Sequence, residues 1–126
     1  MPNWCHNTAT ITHKSADKMA EVIESVTDNK FFQTMVPEPH MMPQGWYEWR
    51  LENWGTKWVA DDLRPQVSED GMRTDLDFNT AWGPPIEIYE AMKKRGYEVE
   101  AEFHEPNMEI EGYWTNAEGE MEYGSE

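Results

Sequence analysis

Residues 97 to 104 read Tyr97-Glu98-Val99-Glu100-Ala101-Glu102-Phe103-His104, an unbroken alternation of apolar and polar side chains. A period of two is that of a β-strand, whose successive side chains point to opposite faces. Tyr97, Val99, Ala101 and Phe103 are therefore expected on a core face, with Glu98, Glu100, Glu102 and His104 on the other. A second strand from Met108 to Thr115 follows, and Pro106-Asn107 closes the pair into a hairpin. Pairing Glu105 with Met108 sets Phe103 against Ile110 and Val99 against Trp114. The same register sets His104 against Glu109 and Glu102 against Glu111, and like charges directly opposite are unfavourable.

Outward from the hairpin, Pro84-Pro85 opens a helix where missing N–H groups cost nothing. Ile86, Tyr89 and Met92 form its buried stripe, Lys93, Lys94 and Arg95 suit the negative end of its dipole, and Gly96 ends it. Lys57 to Leu63 and Met72 to Thr80 are expected as strands joined by a polar turn from Pro65 to Gly71. In the second, Met72, Thr74, Leu76 and Phe78 face one way, and Arg73, Asp75, Asp77 and Asn79 the other. At the start, Trp4 to Thr12 alternates as a first strand. Ser15 then caps a helix over 16–27, whose stripe is Met19, Val22, Ile23 and Val26. Phe31 to Val36 is an apolar connector; Pro37, Pro39 and Pro43 forbid regular pairing in the loop after it. Gly45 to Asn53 is expected as a short helix ended by Gly55, and Met121 to Tyr123 as a last strand.

This order predicts an α+β fold, a ferredoxin-like βαββαβ antiparallel sheet with the two main helices on one face. It carries a short inserted helix within 37–55 and an added C-terminal hairpin strand within 116–126, all in one domain over 1–126. The term names a fold and implies no iron–sulfur cluster.

Few aliphatic residues are available, but 7 tryptophans, 5 tyrosines, 4 phenylalanines and 9 methionines supply an aromatic, partly Met-filled core. The 10 basic and 25 acidic residues give a formal charge of −15. Phosphate-backbone affinity comes mainly from Lys and Arg, so no direct nucleic-acid binding is expected. A basic protein partner or a cation suits this charge better. With Cys5 as the single cysteine, no internal disulfide and no cysteine-built metal site forms, and a reducing cytoplasm is the expected setting. Neither a signal peptide nor a membrane span is evident.

Five of the seven tryptophans, Trp46, Trp49, Trp54, Trp58 and Trp82, fall between Gly45 and Pro85. Two blocks stand out there, Glu52-Asn53-Trp54-Gly55-Thr56-Lys57-Trp58 and Phe78-Asn79-Thr80-Ala81-Trp82-Gly83-Pro84-Pro85. Together with Met1-Pro2-Asn3-Trp4, Asn7 and Glu105-Pro106, they resemble the small YubB-like ferredoxin-fold proteins carried by phages, plasmids and some bacterial genomes. The resemblance spans nearly the whole chain and departs from the pattern at Gly83, where Ser is expected. It implies the fold and a phage or mobile-element origin in a bacterial host cell. It implies no active site.

Two surfaces are candidates for function. Asn53, Trp54, Lys57, Trp58, Asn79 and Trp82 have the chemistry of a pocket for a planar or sugar-like ligand, with ring faces for stacking and amides for orientation. The plainer reading of the same rings is an aromatic core that fixes the inserted helix to the sheet. After Arg95 come ten glutamates and no Lys or Arg, and alternation gathers Glu98, Glu100, Glu102, Glu109 and Glu111 on one side, with Asp75 and Asp77 beside them. Such a face docks a basic host or element protein by steering, or is a solvated surface. His6 and His104 meet carboxylates if their strands are neighbours, but no metal-ligand spacing supports a metal site. No cofactor and no catalytic residue is expected, since Glu52 and Lys57 offer acid and base without a nucleophile or oxyanion site. The chain is therefore expected to be a non-catalytic binding or regulatory module, monomeric or homodimeric. The alternative is a small-molecule binder or cofactor-free enzyme built around the tryptophans.

Overall fold

The computed structural model describes residues 3–39, 45–56, 59–107 and 109–122. The elements in order are β1 (Trp4–Thr12), α1 (Ala16–Thr27), α2 (Phe31–Met35), α3 (Trp46–Asn53), β2 (Asp61–Val67), β3 (Arg73–Ala81), α4 (Ile86–Lys94), β4 (Glu98–Glu105), β5 (Ile110–Thr115) and β6 (Gly119–Glu122). The fold is mixed α+β. Among the described residues six strands form one sheet in the order β2-β3-β1-β4-β5-β6, every neighbouring pair antiparallel.

The alternating segments fold as their periods dictate. Ser15 accepts the Lys18 N–H at 3.3 Å and starts α1, whose Met19, Val22 and Val26 are buried. In α4 the buried stripe is Ile88, Tyr89 and Met92, with Ile88 in the place expected for Ile86, which is only partly buried. These side chains meet Ala9 and Ile11 of β1, Leu76 and Phe78 of β3, and Val99 and Ala101 of β4 in a single core. Both longer helices thus bury their stripes against one face of the sheet, and among the described residues no helix covers the other. None of the described helices is long and apolar enough to cross a membrane.

Three local expectations change. The connector at Phe31 is a one-turn helix, α2, whose Phe31 and Phe32 stack against Phe78 with centroids 6.2 and 6.3 Å away. The β2 strand runs Asp61–Val67 rather than ending at Leu63; Lys57 and Trp58, which the expected strand included, lie outside the described residues. Pro65 falls inside it because β2 is an edge strand, where a missing N–H toward solvent costs no ladder bond. The turn moves on to Ser68, whose hydroxyl and carbonyl accept the N–H groups of Arg73 and Gly71 at 3.1 and 3.0 Å.

The third change is the β4–β5 register, which slips by two residues. Glu105 pairs with Ile110, Phe103 with Gly112, Ala101 with Trp114, Glu102 with Tyr113 and His104 with Glu111. Glu102 consequently faces a neutral phenol rather than Glu111, and Glu111 faces an imidazole. Like-charge opposition is removed at the cost of a longer loop, which the buried Glu105 stabilises by accepting the Asn107 N–H at 3.2 Å.

α3 buries none of its own side chains fully and is held by the residue that ends it. Trp54 is fully buried, donates its indole N–H to the Val36 carbonyl at 2.9 Å, and lies 5.6 Å from the Phe32 ring. Arg50 stacks on Trp54 with its guanidinium carbon 4.8 Å from the ring centroid and pairs with Glu38 at 2.7 Å. Gly55 follows in the left-handed region, φ 82°, and a Cβ there would come within 3.0 Å of the Ile86 nitrogen, so only glycine lets α3 approach the start of α4.

Candidate functional site

On the uncovered face the registers place three columns of side chains next to one another. Thr8, Thr10 and Thr12 of β1 form the middle column. Thr10 lies between Asp75 and Glu100, Thr8 between Asp77 and Glu102, and Thr12 between Arg73 and Glu98. With strands about 4.8 Å apart, the carboxylate columns of β3 and β4 are separated by about 10 Å. Between them is a one-sided trough of about 760 Å³, flanked by Arg64 and Gln66 on β2 and by Tyr113 and Thr115 on β5.

The charges in this trough are only partly compensated. The Thr10 hydroxyl donates to Asp75 Oδ1 at 2.7 Å, and Arg73 reaches the same oxygen at 3.2 Å. The hydroxyl holds the Asp75 carboxyl below its ordinary range against the opposing effect of burial, and the guanidinium adds to the lowering. Arg64 pairs with Asp62 at 3.0 Å at the exposed edge. Among the described residues, Asp77, Glu98, Glu100 and Glu102 make no side-chain hydrogen bond or salt bridge, so their charge is presented to solvent.

The predicted acidic set is therefore largely brought together. Asp75, Asp77, Glu98, Glu100 and Glu102 share one face, and Glu111 joins its border, 3.5 Å from His104 Nε2. Glu109 does not join the column. It sits in the β4–β5 turn with φ 55°, because the register shift moves it out of the strand.

The tryptophan set is not brought together. Trp54 lies in the core on the helix side, whereas Asn79, one residue beyond buried Phe78, projects from the uncovered face, where its Oδ1 accepts from His6 Nδ1 at 2.7 Å. Asn53 donates to the Trp49 carbonyl of its own helix at 2.9 Å. Trp82 is 48% exposed beyond the end of β3. Lys57 and Trp58 are outside the described residues. The sheet itself separates Asn79 from Trp54, and the cavities of about 760, 270 and 250 Å³ touch none of Asn53, Trp54, Asn79 or Trp82.

His6 and His104 are directly opposed across β1 and β4, with a hollow of about 270 Å³ beside them. Among the described residues no three His, Cys, Asp or Glu side chains converge to hold a metal ion. Cys5 is buried, and loss of hydration pushes its thiol up to about 11, which makes it a poor nucleophile.

Two polar residues have structural roles that the sequence reading did not assign. Asn7 occupies a core position of β1 and donates to Thr80 Oγ1 at 2.9 Å and the Cys5 carbonyl at 3.1 Å; Thr80 in turn donates to the Gly83 carbonyl. An amide on the apolar side of an alternating strand is the signal that marks such a network. His13 accepts the Ser15 N–H on Nδ1 at 2.9 Å, and its Nε2 lies 3.0 Å from the Arg95 carbonyl, so it ties the start of α1 to the end of α4.

No family model matches the chain and no curated protein is similar to it. Among solved structures, it is similar to the crystal structure of a protein api92 from Yersinia pseudotuberculosis, described with the family model DUF1281. The TM-score is 0.60 at 16% identity, over 77% of this chain and 40% of that one. The likeness supports the α+β fold. This chain spans about two fifths of the neighbour's length.

Proposed function

We propose that this chain is a non-catalytic binding module that docks a basic protein surface on the uncovered face of its sheet. The observation that carries the reading is the pair of carboxylate columns, Asp75 and Asp77 on β3 and Glu98, Glu100 and Glu102 on β4, standing on a face that the described helices leave open. Charges of one sign held on a rigid sheet steer an oppositely charged partner and fix its orientation, and they keep like-charged surfaces away. Two such faces repel one another, so self-association through this surface is disfavoured.

The strand order β2-β3-β1-β4 with α1 and α4 on one side supports a ferredoxin-like βαββαβ core, to which β5 and β6 are an extension. With the blocks around Trp54 and Trp82, this favours a place among YubB-like proteins of phages and plasmids, acting in the cytoplasm of a bacterial host on a host or element protein.

Pull-down from a bacterial lysate at low salt, with the native chain and with the D77N/E100Q/E102Q variant, tests the reading. Among the described residues the three substituted carboxylates make no side-chain hydrogen bond or salt bridge, so the variant should remain folded. Basic proteins captured by the native chain, released by moderate salt and absent from the variant, are the expected result. Partners that ignore both salt and the substitutions would overturn it.

A further inference from the structure

We infer that the partner fills the trough with one amphipathic α-helix lying along β1, its two flanks bearing Lys or Arg and the stripe between them small residues. This rests on the docking reading above and specifies what is docked. The trough has a low floor, Thr8 and Thr10, between rims made by Asp75 and Asp77 on one side and Glu100 and Glu102 on the other. The rims are two strand spacings apart, about 10 Å, close to the diameter of about 10 to 12 Å of a helix with its side chains. A single helix therefore reaches both rims at once. Its small stripe rests on the threonines.

An extended peptide fits the same place poorly. Strand addition relies on free main-chain N–H and C=O groups at a sheet edge. β1 is hydrogen-bonded to β3 on one side and β4 on the other, so the floor offers no such groups. An extended chain laid on it would leave its own backbone unpaired, whereas a helix satisfies its backbone internally. The axial repeat agrees as well. Carboxylates on one face of a strand recur about every 6.8 Å, and helix positions four apart recur about every 6.0 Å. Over the two rows present, the mismatch is under about 1 Å, within reach of a flexible Lys or Arg stem.

The length of the seat is also bounded. The row at Thr12 brings in Arg73, whose positive charge interrupts the β3 column, and the row at His6 brings in Asn79 and His104. The anionic seat is thus two rows long, which calls for two basic residues per flank, about one helical turn apart.

The test uses the purified full chain and three synthetic peptides of equal length and charge. One is an Ala-based helix with two Lys pairs at i, i+4 on separate flanks, one has the same residues scrambled around the helix, and one carries a central proline. Titration at low salt is followed by amide chemical shifts. The flanked helix should bind at least tenfold tighter than the proline peptide and threefold tighter than the scrambled one, with the largest shifts at Thr8 and Thr10. D77N/E102Q should weaken it at least tenfold, and E21Q/E24Q on the helix-covered side should change it less than twofold. If all three peptides bind alike and all respond to D77N/E102Q, the helix is wrong while the docking face stands. If no peptide binds, or binding ignores D77N/E102Q, both readings fall.

Discussion

The Thr10 hydroxyl on β1 donates to Asp75 Oδ1 on β3 at 2.7 Å, so one rim of the trough is anchored to its floor. This bond is the leading reason that the Asp75 carboxyl ionises below its ordinary value of 3.8, with Arg73 adding to it. A depressed folded-state pKa contributes stability that is complete above the ordinary value and is lost as pH falls through the lowered one. Replacing Thr10 with Val removes the donor while keeping the shape. The Asp75 pKa, followed by carboxyl carbon NMR, should rise toward 3.8, and the acid loss of stability should shrink. An unchanged Asp75 titration would show that Arg73 alone sets it.

Two tryptophans from similar-looking blocks should respond in opposite ways. Trp54 is fully buried with its N–H on the Val36 carbonyl, so Trp54→Ala should cost about 3 to 5 kcal/mol in urea denaturation. Trp82 is half-exposed and held at φ 73°, where a bulky L-residue carries strain of about 1 to 2 kcal/mol. In Trp82→Gly, relief of that strain offsets the lost burial of part of an indole, and the net effect should lie within about 1 kcal/mol of zero.

The difference between these two residues also shows where sequence reading stops. The face on which each strand residue falls is a consequence of period two, so the columns Asp75, Asp77 and Glu98, Glu100, Glu102 were legible from alternation, whereas the helix stripes were legible in part, with Ile88 buried in place of Ile86 and Ile23 only half-buried. Register is not encoded in alternation, because a slip of two keeps every side chain on its face. The β4–β5 pairing therefore turned on the loop and on Gly112, and Glu109 left the acidic set as a result. Asn-Trp-Gly and Ala-Trp-Gly offer no periodic context, so burial of Trp54 and exposure of Trp82 were decided by contacts far along the chain, with Phe32, Val36 and Asn3. Pro65 entered a strand because its strand became an edge, a property of the whole sheet.

The Cys5 thiol gives a pH dependence of opposite sense to that of Asp75. Burial raises it from 9.0 to about 11, so the folded state holds its proton where the unfolded chain releases it. Stability from this group is complete below pH 9 and declines as pH rises toward 11. Cys5→Ala should flatten the stability profile between pH 9 and 10, before the tyrosines deprotonate. In the native chain, thiol labelling by a disulfide reagent at pH 8 should proceed at the unfolding-limited rate. Labelling as fast as that of a free thiol would contradict the burial.

Gly112 tests the pairing of β5 with β6. It lies opposite Phe103, and a Cβ there would run into the Phe103 ring at 2.7 Å, the Glu122 Cα at 2.9 Å and the Met121 carbonyl. The phenyl ring can turn aside, but the two backbone contacts belong to β6, which has four exposed or half-exposed residues and pairs with β5 alone. Gly112→Ala should accordingly detach β6. Amide exchange should lose protection over 119–122 while β1, β3 and β4 keep theirs, at a cost of about 1 to 3 kcal/mol from overpacking. Protection of β6 that survives Gly112→Ala would contradict the pairing of Gly112 with Glu122.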